Sequence, residues 1–322
     1  MNDLAAVQQL LAHERLSIDR CERGRTTFLS HLGAAPRLVP GPWLGHRDLL
    51  YALALANLSP AQRSSLARAV LVDHGREFGV GRLALTTCPS GLPFGGSSLL
   101  LRPRAGGPAC MYTWALAPSA ATARCDWLLL RAQPQWAEVD PPQPLRADGL
   151  ATLDALGLDV TILVDTAACA RQVEDACLEG VDHTAHPRFL PHLASHEARA
   201  RVRLWPHDAF DPRSFDAVLK ARTKQKDFPL ALILVDAPEA LRRSVQTWLS
   251  GQPAARKIEV VAASCPGRAG RGDLQRLWDA CGRPSVLLRG DPQWTAGATT
   301  FLRDLGARVE AQSDSTQIGL FA

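Results

Sequence analysis

The chain has 322 residues, 46% of them hydrophobic and 21% charged, with a formal net charge of +4. Such a composition belongs to a globular protein with enough apolar material for two cores, and excludes a disordered chain. The charge excess lies wholly in the first 150 residues, which carry 15 arginines, no lysine and 11 acids. A dedicated nucleic-acid binder would show a denser basic face, so nucleic acid is not the expected partner. No apolar run reaches the length of a membrane span. Eight cysteines without a Cys-x-x-Cys pair argue against a zinc ribbon and against a dithiol redox motif. The opening residues lack the basic start and apolar core of a signal peptide, so a cytoplasmic protein with reduced thiols is expected.

In chain order, Leu4, Val7, Leu10 and Leu11 predict a helix over 3–17. A Pro- and Gly-rich loop follows over 36–45, then an apolar helix over 46–57. Ser59-Pro60 starts another helix, with Ser as cap and Pro in the first turn, expected to run to about His74. From Val80 the pattern changes to short strands over 81–87, 97–102, 110–116 and 127–132, broken by Gly-Gly pairs. Residues 1–145 therefore read as a smaller α+β domain with an antiparallel sheet. Trp43, Tyr51, Tyr112, Trp114, Trp127 and Trp136 are expected to fill its core.

Asp140-Pro-Pro-Gln-Pro reads as a linker. Over 146–322 strands and helices alternate. The strands are expected at 160–165, 201–205, 230–236, 258–264 and 285–289, and the fold class is α/β with a doubly wound, five-stranded parallel sheet. Its clearest member is Pro-Leu-Ala-Leu-Ile-Leu-Val-Asp-Ala-Pro at 229–238, apolar on both faces as a covered parallel strand must be. Ile-Leu-Val-Asp occurs twice, ending in Asp165 and Asp236, and each copy runs on through an arginine and a leucine to a closing glycine.

This order of elements resembles the receiver domain, the phosphoacceptor module of bacterial two-component signalling. The resemblance implies that Asp165 stands in for an acidic pair, Asp236 for the phosphoacceptor, Ser264 for the hydroxyl residue of the fourth strand and Arg289 for the lysine of the fifth. Thr166 follows Asp165, so the acidic pair is a single carboxylate, and Arg289 is a planar fork where the family has a compact ammonium. Both departures weaken a Mg²⁺-dependent phosphoryl site. Asp236 capping the next helix is the structural alternative.

Residues 181–200 form an insertion with four of the nine histidines: His183, His186, His192 and His196. His192 and His196, at i and i+4, could share a divalent metal on one helix face. Cys265 and His207, both near strand ends, could form a nucleophilic pair. The glycine- and arginine-rich loop over 266–273 could cradle an anion. Neither a Walker A loop nor a Gly-x-Gly-x-x-Gly turn is present, so no nucleotide cofactor is expected. The leading expectation is a non-enzymatic regulatory or scaffolding protein, with another protein or a second copy of itself as partner. The runner-up is a metal-dependent enzyme of hydrolase type, and after it an active phosphoacceptor.

Overall fold

The computed structural model describes residues 9, 11–19, 23–32, 39–56, 58–137, 141–194, 200–213, 215–216, 229–252 and 257–313. The chain divides into two compact units, Met1–Pro141 with Arg268–Ala322, and Pro142–Gly267.

The first unit begins with β1 (Leu16–Ile18), β2 (Thr26–Leu29), β3 (Trp43–His46), α1 (Arg47–Ala54), α2 (Pro60–Ala67) and β4 (Val70–Val72). The four strands form a parallel sheet in the order β1-β2-β3-β4. Sequence reasoning placed a loop at β3 and a helix at β4. Strands of three or four residues are too short to show a period, and the Pro and Gly around Trp43 dominate the local signal. Burial of Trp43 and Leu44 draws that segment into the sheet. The helix from Pro60 starts as expected, with a capping box in which the Ser59 side chain accepts from Gln62 N–H and the Gln62 side chain accepts from Ser59 N–H. It ends at Ala67, and the β-branched Val70 and Val72 continue as strand.

Next come β5 (Glu77–Val80), β6 (Leu83–Pro89), β7 (Ser97–Pro103), β8 (Cys110–Thr113) and β9 (Trp127–Arg131). β5 to β8 pair antiparallel, whereas β9 lies parallel to β8. Leu99 and Leu101 of β7 and Trp127 and Leu129 of β9 face one core, while Leu100, Leu128 and Leu130 face another. This period of two is what a sheet buried on both faces requires.

The second unit contains α3 (Ala147–Ala155), β10 (Asp159–Val164), α4 (Ala167–Cys177), β11 (His183–Ala185), β12 (Val202–Pro206), β13 (Leu230–Val235), α5 (Glu239–Ser250) and β14 (Ile258–Ala263). Its sheet is five-stranded and parallel, in the order β11-β12-β10-β13-β14. All six residues of β13 are buried, as its continuous apolar run requires. From β10 the chain moves out to β11 and β12 on one side, then crosses to β13 and β14 on the other. The order therefore reverses between β10 and β13. In open α/β sheets that reversal opens a crevice at the carboxyl ends of the strands.

The chain then returns to the first unit through α6 (Arg271–Ala280), β15 (Ser285–Gly290), α7 (Pro292–Asp304) and β16 (Val309–Ser313). β15 lies between β9 and β16, completing a seven-stranded sheet in the order β16-β15-β9-β8-β7-β6-β5. This differs from the expected domain over 146–322. The strand expected to be fifth in the parallel sheet, Ser285–Arg289, pairs instead with β9. The fifth place is filled at the opposite edge by β11, from the 181–200 insertion. Val286, Leu287 and Leu288 are fully buried and would suit any two-sided sheet, so their apolarity alone could not choose between β9 and β14. Tyr51, expected in the core, is 74% exposed.

Candidate functional site

At the carboxyl edge of the five-stranded sheet, Asp165 follows β10, Asp236 follows β13, and Ser264 and Cys265 follow β14. Asp236 follows β13 and has a left-handed backbone, φ 50°, a conformation that Asp tolerates better than most residues. Its N–H donates to Ala263 O at 3.0 Å, and its Oδ1 accepts the N–H of Cys265 at 3.0 Å. Asp236 is 7% exposed. The carboxylate thus ties the end of β13 to the turn after β14.

Cys265 is buried, and its sulfur is joined to that of Cys169 in a disulfide with a Cα–Cα distance of 6.2 Å. Cys169 lies in the first turn of α4. Thr166 caps that helix, its Oγ1 accepting Cys169 N–H at 3.1 Å while donating to Asp165 Oδ1 at 3.0 Å. Gln172, one turn further along α4, brings its Oε1 to 3.3 Å from Cys265 Sγ. Sulfur atoms of Cys169 and Cys265 and a carboxylate oxygen of Asp236 all lie within 4.8 Å of one another. Among the described residues this is the group of side chains that could hold a metal ion.

Of the four receiver-type residues, three stand at this edge. Asp165 follows β10, Asp236 follows β13, and Ser264 follows β14. Ser264 is fully buried and bonds through its backbone to Gln143 O and Leu145 N–H. Arg289 does not join them. It is part of β15 in the seven-stranded sheet, where its Nε donates to Gln312 Oε1 at 3.2 Å.

The histidines of the insertion are engaged singly. His183 is buried, with Nδ1 at 2.9 Å from Val181 O and Nε2 at 3.1 Å from Glu174 Oε1. Both ring nitrogens therefore face oxygen atoms. Glu174, itself buried, also accepts Ala194 N–H and pairs with Arg171, so this cluster fastens the insertion to α4. His186 packs on Trp205 with ring centroids 5.4 Å apart, and burial, then the Arg188 charge, pushes its pKa down. Burial also lowers the pKa of His192. The nitrogens of these three do not converge with a third ligand among the described residues. His196 lies outside the described residues. His207 donates from Nε2 to Val235 O at 2.9 Å and Leu163 O at 3.3 Å, so it closes strand ends while Cys265 bonds elsewhere.

Sequence reasoning missed Cys169 as the partner of Cys265. The two are 96 residues apart, and only the parallel order of β10, β13 and β14 brings them together. It also missed a second polar site, in the first unit. Asp19 follows β1, again with a left-handed backbone, φ 55°. Its N–H donates to Phe28 O at 2.9 Å and its Oδ1 accepts Ser30 N–H at 2.7 Å. Ser30 Oγ and Tyr112 OH both donate to Oδ2, Tyr112 at 2.7 Å. His31 Nδ1 is 2.9 Å from Ser30 Oγ, and its ring stacks on Trp114 at 4.7 Å. Burial works to raise the Asp19 pKa, but His31 and the Ser30 donors outweigh it and hold the carboxyl below 3.8. Burial, then the Asp19 charge, keeps the Tyr112 hydroxyl protonated well above pH 10.

No protein-family model matches the chain, and no curated protein matches it. Among solved structures it is similar to a protein of unknown function from Enterococcus faecalis V583, at 15% identity and a TM-score of 0.48, over 82% of this chain and 74% of that one. No helix among the described residues is long and apolar enough to cross a membrane.

Proposed function

We propose that this chain is a non-enzymatic regulatory or scaffolding protein that works by binding another protein, and that an open edge of its first unit is the binding surface. One observation carries the reading. Tyr51 on α1, Leu55 at its C-cap, and Val70 and Leu71 on β4 are each more than half exposed, and α1 packs against β4. β4 ends the order of its sheet, so its backbone is an unpaired edge among the described residues. An apolar edge strand beside an apolar helix face is the kind of surface that accepts an added strand or helix from a partner.

The strand-end residues of the second unit support a role without phosphoryl chemistry. Asp236 is buried and held by the N–H of Cys265, whereas a phosphoacceptor must present its oxygen to a donor and to Mg²⁺. Receiver likeness is retained in this proposal only for β12, β10, β13 and β14, which follow the flavodoxin-like order as far as its fourth strand.

A photo-crosslinking residue at position 71 tests the reading, with the same residue at exposed Arg104 as control. Discrete adducts from position 71 that disappear with Tyr51→Ser are expected. Equal, diffuse labelling from both positions would overturn it. Asp236→Asn is expected to leave those adducts intact, and neither protein is expected to take label from a small phosphodonor.

A further inference from the structure

We propose that Cys169, Cys265 and Asp236 form a thiolate–carboxylate site for a soft divalent cation of the zinc class when the cysteine pair is reduced, and that oxidation to the disulfide closes the same site. The inference is independent of the partner surface proposed above.

The donor set comes from three elements: the first turn of α4, the turn after β14 and the residue after β13. Their ligand atoms already lie within 4.8 Å of one another. Tetrahedral zinc, with Zn–S near ~2.3 Å and Zn–O near ~2.1 Å, needs its ligands about 3.5 Å apart. Side-chain rotation alone covers that difference once the sulfurs separate. Two features hold the frame while it happens. Thr166 fixes the backbone of Cys169, and the Asp236 carboxylate is bonded to the backbone N–H of Cys265. That N–H also gives the ligating carboxylate the supporting hydrogen bond that metal ligands characteristically have. Gln172 Oε1, 3.3 Å from Cys265 Sγ, is placed to face the fourth position.

The chemistry of the donors selects the ion. Two thiolates with one carboxylate suit zinc-class cations, whereas Mg²⁺ and Ca²⁺ take oxygen ligands throughout. All three residues are buried, which strengthens the attraction between the anionic ligands and a cation. Cys169 also sits near the amino end of α4, where the helix dipole favours a thiolate.

A small dithiol or thiol reductant converts the disulfide and two reductant thiols into two protein thiols and one reductant disulfide. Binding of M²⁺ then releases both thiol protons. A peroxide oxidant returns the site: the two metal-bound thiolates give up two electrons to form the disulfide and free the ion, while H₂O₂ takes those electrons and two protons to become two waters.

The test uses the untagged full chain, reduced under argon and titrated with Co²⁺. A stoichiometric thiolate-to-cobalt charge-transfer band is expected for the reduced protein, displaced by Zn²⁺ and absent from the oxidised protein. Cys169→Ser and Cys265→Ser should lose it, and Cys177→Ser should keep it. Asp236→Asn should weaken binding by about tenfold or more, at least what loss of a supporting residue costs. Should a variant fail to fold, alkylation of the reduced wild type with and without Zn²⁺, mapped by mass spectrometry, decides: added zinc is expected to shield Cys169 and Cys265. No band together with no shielding, or a band that survives both cysteine substitutions, would overturn the proposal.

Discussion

Asp19 and Asp236 are the same backbone device used twice. Each stands one residue past a parallel strand in a left-handed conformation. Each gives its N–H to a carbonyl on the neighbouring strand and takes, on Oδ1, the N–H of the residue two further along: Phe28 and Ser30 for Asp19, Ala263 and Cys265 for Asp236. What differs is the company. Around Asp19 the remaining donors are hydroxyls, with His31 behind them, and none of these groups has a bond that reduction or a metal would change. Beside Asp236 stand two sulfurs, whose bonding depends on the redox state and on metal. One clamp is therefore a fixed structural element, whereas the other has a state that can change.

The largest effect should come from breaking the fixed clamp. Asp19→Ala removes the acceptor for Ser30 N–H, Ser30 Oγ and Tyr112 OH, all enclosed, and should cost about 3–5 kcal/mol in chemical denaturation. Next is the labile clamp. Reduction of the metal-free wild type releases a 96-residue loop and should cost about 2–4 kcal/mol, whereas Cys169→Ser should not respond to reductant. Asp236→Ala in the oxidised protein should cost less, about 1–3 kcal/mol. A loss near that for Asp19→Ala would erase the distinction between the two clamps.

Acid acts on the fixed clamp as well. The folded pKa of Asp19 lies below 3.8, so its stabilisation is fully present above that value and is lost as pH falls through it toward the folded pKa. Asp19→Asn should therefore flatten the stability profile below about pH 4, measured by denaturation at successive pH values. The smallest effect on stability is expected at the proposed partner surface: Tyr51→Ser should stay within about 0.5 kcal/mol of wild type while removing the crosslinks made from position 71.

The two clamps also mark how far the sequence could be read. Asp236 stood out because six consecutive apolar residues announce a covered strand and an acid closes it. Asp19 did not, since Leu16–Ile18 is three residues long and carries no period. The neighbours were harder still. Cys169 and Cys265 meet only through strand order, and nothing local in either sequence segment encodes the other. Arg289 shows the same limit in reverse: its segment is a strand as expected, but its partner is β9, a choice made by long-range packing. The insertion histidines suggested metal by their density, yet His183 is committed to Glu174, whose place in the amphipathic pattern of α4 gave no sign of burial.

The most direct measurement is the thermal unfolding midpoint of three preparations of the wild type: oxidised, reduced, and reduced with stoichiometric zinc. Binding to the folded state alone must raise stability. Reduction is expected to lower the midpoint and zinc to restore most of it, with neither treatment moving Cys169→Ser. A reduced wild type whose midpoint is unchanged by zinc would contradict the account, and would leave the Asp236 clamp a plain structural disulfide.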